Sequence, residues 1–156
     1  MQVTSINQLV QQVLQVCEHS ASEKGIKLEI SGDEILDAEV NPPLLEQALI
    51  NLVENAIKYS DPKSLVSLSL EKQADKFIIG VRDQGFGIEA KNHERIFERF
   101  YRIDVARSRK LGGTGLGLSI VKHIIQAHQG MVSVTSTPGE GSTFLIQIPF
   151  IEMNPI

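Results

Sequence analysis

The 156-residue chain has one cysteine, Cys17, which excludes an internal disulfide framework and a cysteine-built zinc site and fits a reducing compartment. Cys17 falls within a helical pattern and reads as a small buried apolar residue. Positive charge is not in excess either, with 15 Lys and Arg against 19 Asp and Glu and a net charge of -4. Such a chain has no broad basic footprint, so nucleic acid is not expected as its principal partner. No apolar run approaches the roughly 18 residues of a membrane span. The N-terminal MQVTSINQLV also lacks the charged-then-apolar layout of a secretory signal. No direct membrane contact is expected of these residues.

What remains is ordinary globular material, 42% hydrophobic and 22% charged, and one domain over residues 1–156 is the expectation. Ile6, Leu9, Val10, Val13 and Leu14 recur at helical spacing after Ser5, which predicts a helix over about residues 5–23, ended by Gly25. IKLEI reads as a strand and LDAEV as a second. Asn41 with Pro42 and Pro43 starts a helix that runs to about Tyr59. SLVSLSLE and KFIIGVRD, parted by KQAD, suit an antiparallel hairpin. Residues 84–114 are loop-like, with one short helical piece, NHERIFERFY; a loop of this length in a compact domain is usually functional. Gly115 to His128 returns to helical periodicity, and MVSVTST and STFLIQIPF close the chain as strands. These elements predict an α/β fold, a two-layer arrangement of a mixed, mostly antiparallel sheet of about five strands with helices on one face.

Three segments carry candidate chemistry. On the helix NPPLLEQALINLVENAIKYS, Asn51, Asn55 and Lys58 share one stripe with Tyr59 at its edge. Two carboxamides and an ammonium suit a polyphosphate and its hydrated cation, and tyrosine offers a flat face to a base. A solvated polar stripe is the alternative. In VRDQGFGIE an apolar strand delivers Asp83 into Gly85 and Gly87, where a carboxylate can accept a hydrogen bond from an exocyclic amine such as that of adenine. An Asx-type turn accounts for the same residues. GGTGLGLS, finally, has no lysine after Gly117, which excludes a Walker loop. It has no apolar strand upstream, which excludes a dinucleotide fingerprint. It is left as a glycine-rich segment opening a helix, whose free N–H groups favour phosphate.

Taken together and in order, NLVENAIKYS, DQGFGI, IFERFYR and GGTGLGLSIVKHI resemble the N, first glycine, F and second glycine boxes of one family, the ATP-binding catalytic domain of sensor histidine kinases. That family lies within the GHKL or Bergerat-fold superfamily. The resemblance implies a Bergerat fold with an ATP lid over about residues 98–115 that closes on nucleotide, and ATP and Mg2+ as cofactors. It makes Asn55 the magnesium ligand, with Asn51 supporting it, Lys58 on phosphate and Arg102 near the γ-phosphate as the other catalytic positions. Tyr59 packs on adenine, Asp83 holds its amino group, and Gly85, Gly87 and Ile88 shape the pocket. Gly113, Thr114, Gly115, Leu116, Gly117 and Leu118 form the phosphate segment, and Phe97 and Phe100 anchor the lid. Ser142 or Thr143 reaches Asp83 or a water beside the base.

The resemblance also implies what the reaction lacks. In the gyrase and heat-shock branches a glutamate stands one turn before the magnesium asparagine and activates water; here that residue is Asn51, an amide that cannot act as a base. Glu54 lies about 60° off the stripe on an ideal helix and reads as peripheral. The phosphoacceptor motif of the family, H-E-x-R-x-P, does not occur, and none of His19, His93, His123 and His128 has its context. His123 and His128 read as surface or helix-end residues. The expected partners are therefore a separate dimerisation and histidine-phosphoacceptor domain and a response regulator receiver domain, and the expected location is the cytoplasmic part of a bacterial sensor kinase. A regulatory ATP-binding module, a GHKL-type ATPase and an anti-sigma serine kinase are the alternatives.

Overall fold

In a computed structural model the described residues are 1–32, 35–99, 101 and 117–150. Helix α1 (Ile6–Glu23) starts at Ser5, whose side chain accepts the N–H of Gln8. Its buried face is Ile6, Leu9, Val10, Val13, Cys17 and Ala21, the spacing that the sequence shows. Helix α2 (Pro42–Tyr59) is capped by Asn41, whose carboxamide oxygen accepts the N–H of Leu44 at 3.2 Å, with proline at the positions that have no N–H to satisfy. Helix α3 (Gly117–Ala127) is the third, and α2 lies in the middle, packed against both α1 and α3. No helix among the described residues is long and apolar enough to cross a membrane.

Beneath the helices a five-stranded sheet runs in the order β2, β4, β5, β7, β6, formed by Lys27–Ser31, Leu65–Lys72, Lys76–Arg82, Gly141–Pro149 and Met131–Thr137. The β2–β4 pair is parallel and the other three are antiparallel, so the sheet is mixed and mostly antiparallel as expected. Register decides which side chains enter the core. Leu68, Val81, Phe144 and Val134 form one cross-strand row, and Leu70, Ile79 and Ile146 the next, all buried against the helices. The alternate residues, among them Ser67, Ser69, Arg82, Thr143 and Thr135, occupy the other face.

LDAEV forms a strand as expected, β3 (Asp37–Val40), which joins β1 (Gln2–Ser5) in a separate antiparallel pair. The β1 strand itself was not expected, because four residues with a single large apolar side chain, Val3, give no readable alternation. The helical piece expected in NHERIFERFY is a single 3-10 turn, Arg95–Phe97, the second of two; the first, Ala90–Asn92, ends at the first residue of that segment. The second buries the adjacent residues Ile96 and Phe97 together, with Phe97 edge-on to Phe144 at 6.1 Å.

Two side chains hold the ends of α2. His128, which the sequence places at a surface or helix end, is buried just beyond α3, where it bridges the Ile124 carbonyl through Nδ1 and the Asn41 N–H through Nε2. The carbonyl can only accept and the N–H can only donate, so the proton resides on Nδ1. At the other end the ammonium of Lys24 donates to the carbonyls of Ile57, Lys58 and Ser60 at 2.8, 3.0 and 2.8 Å. The first two are unpaired carbonyls of the last turn of α2, the negative end of the helix dipole, and the third belongs to the residue that caps it. Burial lowers the pKa of this ammonium, and Asp61 opposes that shift. Lys24→Met should lower unfolding free energy by about 1–3 kcal/mol, the usual cost of losing hydrogen bonds to a charged group. Urea denaturation reads this, and a midpoint equal to that of the unsubstituted chain would mean the clamp contributes nothing.

Candidate functional site

The polar stripe of α2 is half-buried along Asn51, Asn55, Lys58 and Tyr59. Glu54, the nearest carboxylate on the helix, turns the other way, toward α1. Ser20 of α1 donates to it at 3.4 Å, and it stands beside Cys17. Burial, followed by the charge and hydrogen bond of Glu54, pushes the Cys17 thiol up to about 12. The stripe is thus left with amides, an ammonium and a phenol. Among the described residues no group of three or more His, Cys, Asp or Glu is placed to hold a metal ion. The donor that the stripe offers is a carboxamide oxygen, which fits magnesium, an ion that keeps several waters and takes few protein oxygens.

Asp83 follows β5 directly and is 5% exposed. Its Oδ1 accepts two backbone hydrogen bonds, from Gly85 at 2.9 Å and from Ser142 at 3.2 Å. Among the described residues Oδ2 takes no hydrogen bond, and it is not sealed from solvent. The Asx turn of the sequence reading is thus present, made by one oxygen of the carboxylate. Burial raises the Asp83 pKa and the bonds from Gly85 and Ser142 oppose the rise.

The glycines around Asp83 are needed for approaches between protein segments. A Cβ on Gly85 would lie 2.2 Å from the Tyr59 carbonyl oxygen, and Ser60 and Gly85 form an isolated antiparallel bridge. This contact brings the end of the polar stripe against the Asp83 loop. Gly87 has φ +75 and its Cβ would meet the Thr137 carbonyl oxygen at 2.1 Å. Ile88 follows, half-buried, its N–H held by the Ser136 hydroxyl at 2.6 Å. The Asp83 loop is thereby fixed to α2 on one side and to the β6–β7 turn on the other.

Of the two hydroxyl residues expected near Asp83, Ser142 is there and Thr143 is not. Ser142 is buried and exchanges two bonds with Asp83, its N–H to Oδ1 and its carbonyl from the Asp83 N–H at 2.9 Å. Thr143 pairs with Arg82, so its side chain is on the sheet face away from the helices and cannot reach the site. Gly117 and Leu118 open α3, and a Cβ on Gly117 would meet nothing within 4 Å. Phe97 is in the core against Phe144. Phe100, Arg102, Gly113, Thr114, Gly115 and Leu116, with most of the segment 98–115, lie outside the described residues. Sequence reasoning missed two residues, Lys24 and Ser136. Lys24 leaves no local signal, whereas the alternation of MVSVTST does put Ser136 on the same face as Val134.

Residues 40–152 match the family described as histidine kinase-, DNA gyrase B- and HSP90-like ATPases, and the chain belongs to that family. It is 44% identical over 136 residues to the sensor-like histidine kinase SenX3 of Mycobacterium tuberculosis, an alignment covering 86% of this chain and 33% of SenX3. The chain thus spans about a third of the length of that relative. The nucleotide-free catalytic domain of histidine kinase ThkA superposes with a TM-score of 0.82 at 28% identity, over 96% of this chain and 99% of that domain. ThkA in complex with the response regulator TrrA superposes at 0.80, with 26% identity, over 96% of this chain and 41% of that one. Full-length ShkA in complex with AMPPNP gives 0.81 at 29% identity, over 98% of this chain and 32% of that one. The α/β fold with helices on one face of a mixed sheet is that of histidine kinase catalytic domains.

The raised pKa of Asp83 has a stability consequence with a definite sign. The folded chain keeps this proton at pH values where the unfolded chain, with an ordinary value of 3.8, has lost it. Stability therefore falls as pH rises through the window above 3.8, and the buried charge is a cost at neutral pH. Asp83→Asn can still accept both N–H groups on Oδ1 without the charge. Thermal melts at pH 4 and pH 7 should show the variant gaining on the unsubstituted chain as pH rises, and a constant difference would contradict this account.

Proposed function

We propose that this chain binds Mg-ATP and transfers its γ-phosphoryl group to a histidine on a separate dimerisation domain, as the catalytic part of a two-component sensor kinase. The observation that carries the reading is Asp83 at the end of the α2 stripe, whose Oδ1 is held by the N–H groups of Gly85 and Ser142 while Oδ2 takes no hydrogen bond from the described residues. A fixed carboxylate oxygen selects a donor such as the exocyclic amine of adenine. Tyr59 covers the ring, and Gly85, Gly87 and Ile88 wall the pocket. Asn55 holds the cation with support from Asn51, and Lys58 places a point charge on phosphate. Magnesium, when bound, neutralises phosphate charge and orients the phosphates. The N–H groups opening α3 at Gly117 and Leu118 face the same anion, as helix N-termini do. Phosphoryl transfer asks chiefly for such positioning and charge neutralisation.

The acceptor is histidine rather than water because the stripe has no base. Asn51 is an amide and Glu54 is engaged with Ser20 of α1, so among the described residues of α2 neither position supplies a carboxylate to activate a hydrolytic water. The acceptor histidine comes from another domain. His128 is committed to Ile124 and Asn41, His93 to the Ile88 carbonyl and His19 to Glu23, and His123, exposed on α3, lacks the H-E-x-R-x-P context as they do. A response regulator is the onward recipient, a reading supported by the complex of ThkA with TrrA. A place within a longer sensor kinase fits the fraction of SenX3 that the chain spans, and a cytoplasmic location is part of the same proposal.

Labelled Mg-ATP separates the outcomes. With a histidine-bearing dimerisation domain present, acid-labile phosphate should appear on that domain with little free phosphate. Phosphate release without protein labelling would establish an ATPase instead, and binding with neither product a regulatory module. Asn51→Glu should raise free-phosphate release per bound ATP by about 100-fold, the lower range of a positioned general base. An unchanged hydrolysis rate would remove the argument from the missing base.

A further inference from the structure

Asp83, Ser142 and Ser136 form one row across three neighbouring chain segments on the helix-covered face of the sheet. Ser142 follows Asp83 by the bonds described above, and Ser136 is the register partner of Ser142. The Ser136 Oγ is at the centre of three contacts. It is 2.6 Å from the Ile88 nitrogen, 2.9 Å from the Gly141 carbonyl oxygen and 2.8 Å from the Ser142 Oγ. A hydroxyl has one hydrogen to give and two lone pairs to receive with. The Ile88 N–H can only donate, and the Gly141 carbonyl can only accept. One assignment satisfies all three contacts: Ser136 gives its hydrogen to Gly141 and receives from Ile88 and from Ser142. The reverse orientation, with Ser136 donating to Ser142, leaves the Gly141 carbonyl without this donor and one Ser136 lone pair idle.

From this count we infer that Ser136 is a positioning residue for base selection: it takes up the Ser142 hydrogen, so Ser142 offers only lone pairs beside the acceptor Asp83. The inference rests on the adenine-nucleotide reading proposed above. A carboxylate alone is an incomplete selector, since it also accepts the ring N–H of a 6-oxopurine. Two neighbouring acceptors disfavour the carbonyl oxygen that such a base carries in place of the amine. The relay thus extends selectivity beyond Asp83 through a residue that touches no ligand. The same Ser136 oxygen holds the N–H of Ile88, so loop position and hydroxyl orientation depend on one atom.

The probe is inosine triphosphate, which exchanges the exocyclic amine of adenine for a carbonyl and leaves the sugar and phosphates unchanged. Titration calorimetry with the 156-residue chain and magnesium gives the affinity ratio of ATP to inosine triphosphate. In Ser136→Ala the Ser142 hydroxyl is free to rotate and donate to the carbonyl, so the ratio should fall about tenfold, the weight of one hydrogen bond. Ser136→Thr retains the hydroxyl and should keep the ratio. Ser142→Ala should lower it, and adding Ser136→Ala to Ser142→Ala should lower it no further, because the two act through one bond. A fall in both affinities with an unchanged ratio in Ser136→Ala would overturn the inference and leave Ser136 as a brace for the Ile88 loop. A wild-type chain without preference for ATP would instead overturn the nucleotide reading beneath it. Should Ser136→Ala fail to fold, Ser136→Cys, a much weaker hydrogen-bonding group, reads the same ratio.

Discussion

The reciprocal pairing of Asp83 with Ser142 is the constraint on which the rest of the site depends. The Asp83 N–H donates to the Ser142 carbonyl and the Ser142 N–H returns to the Asp83 carboxylate, so the last backbone bond of the β5–β7 ladder and the first bond of the loop share two residues. Sheet register therefore sets the position of the carboxylate directly. With the β5–β7 register known, Phe144 faces Val81 in the core, Ser142 faces Asp83, and Thr143 is turned out with Arg82. A slip of one residue would exchange the two faces and replace Ser142 by Thr143 in the site.

The charge on Asp83 is held at a cost that the fold bears elsewhere. Burial opposes ionisation, and only the N–H groups of Gly85 and Ser142 act against it. The core that carries this cost is extensive, running from α1 through Leu45, Leu49 and Leu52 of α2 to Phe77, Ile79 and Ile146 of the sheet. An acceptor fixed by two backbone N–H groups in a largely buried position makes a stronger hydrogen bond to an incoming donor than one free in bulk water. Stability and recognition thus make opposite demands on one oxygen pair.

The helices act on the site through their ends rather than their lengths. His128 ties the beginning of α2 to the end of α3, and Lys24 ties its end to the end of α1. Between these anchors the two sides of α2 have separate tasks. Glu54 faces α1 with Ser20 and Cys17, and the carboxamides of Asn51 and Asn55 lie on the half-buried stripe. The absence of a carboxylate from that stripe follows from both the identity of residue 51 and the direction in which residue 54 points.

Much of this was legible in the chain because it is local. Helical spacing marked α1 and α2, Ser5 and Asn41 marked their starts, and alternation marked β4 to β7, since each signal is carried by residues within a few positions of one another. Four ordered motifs placed the family. The partner of β3, the two 3-10 turns around Ile96, the turning out of Thr143 and the roles of Lys24, Ser136 and His128 were not legible, because each depends on a distant segment. Lys24 meets α2 across 33 to 36 residues, and His128 meets Asn41 across 87. The amino-acid sequence by itself therefore determined which groups are available: two amides, a lysine, a tyrosine and an aspartate at a strand end. Only the tertiary structure decided which oxygen of Asp83 is engaged and which way Glu54 and Thr143 face, because cross-strand register and helix packing, not local propensity, set the direction of a side chain.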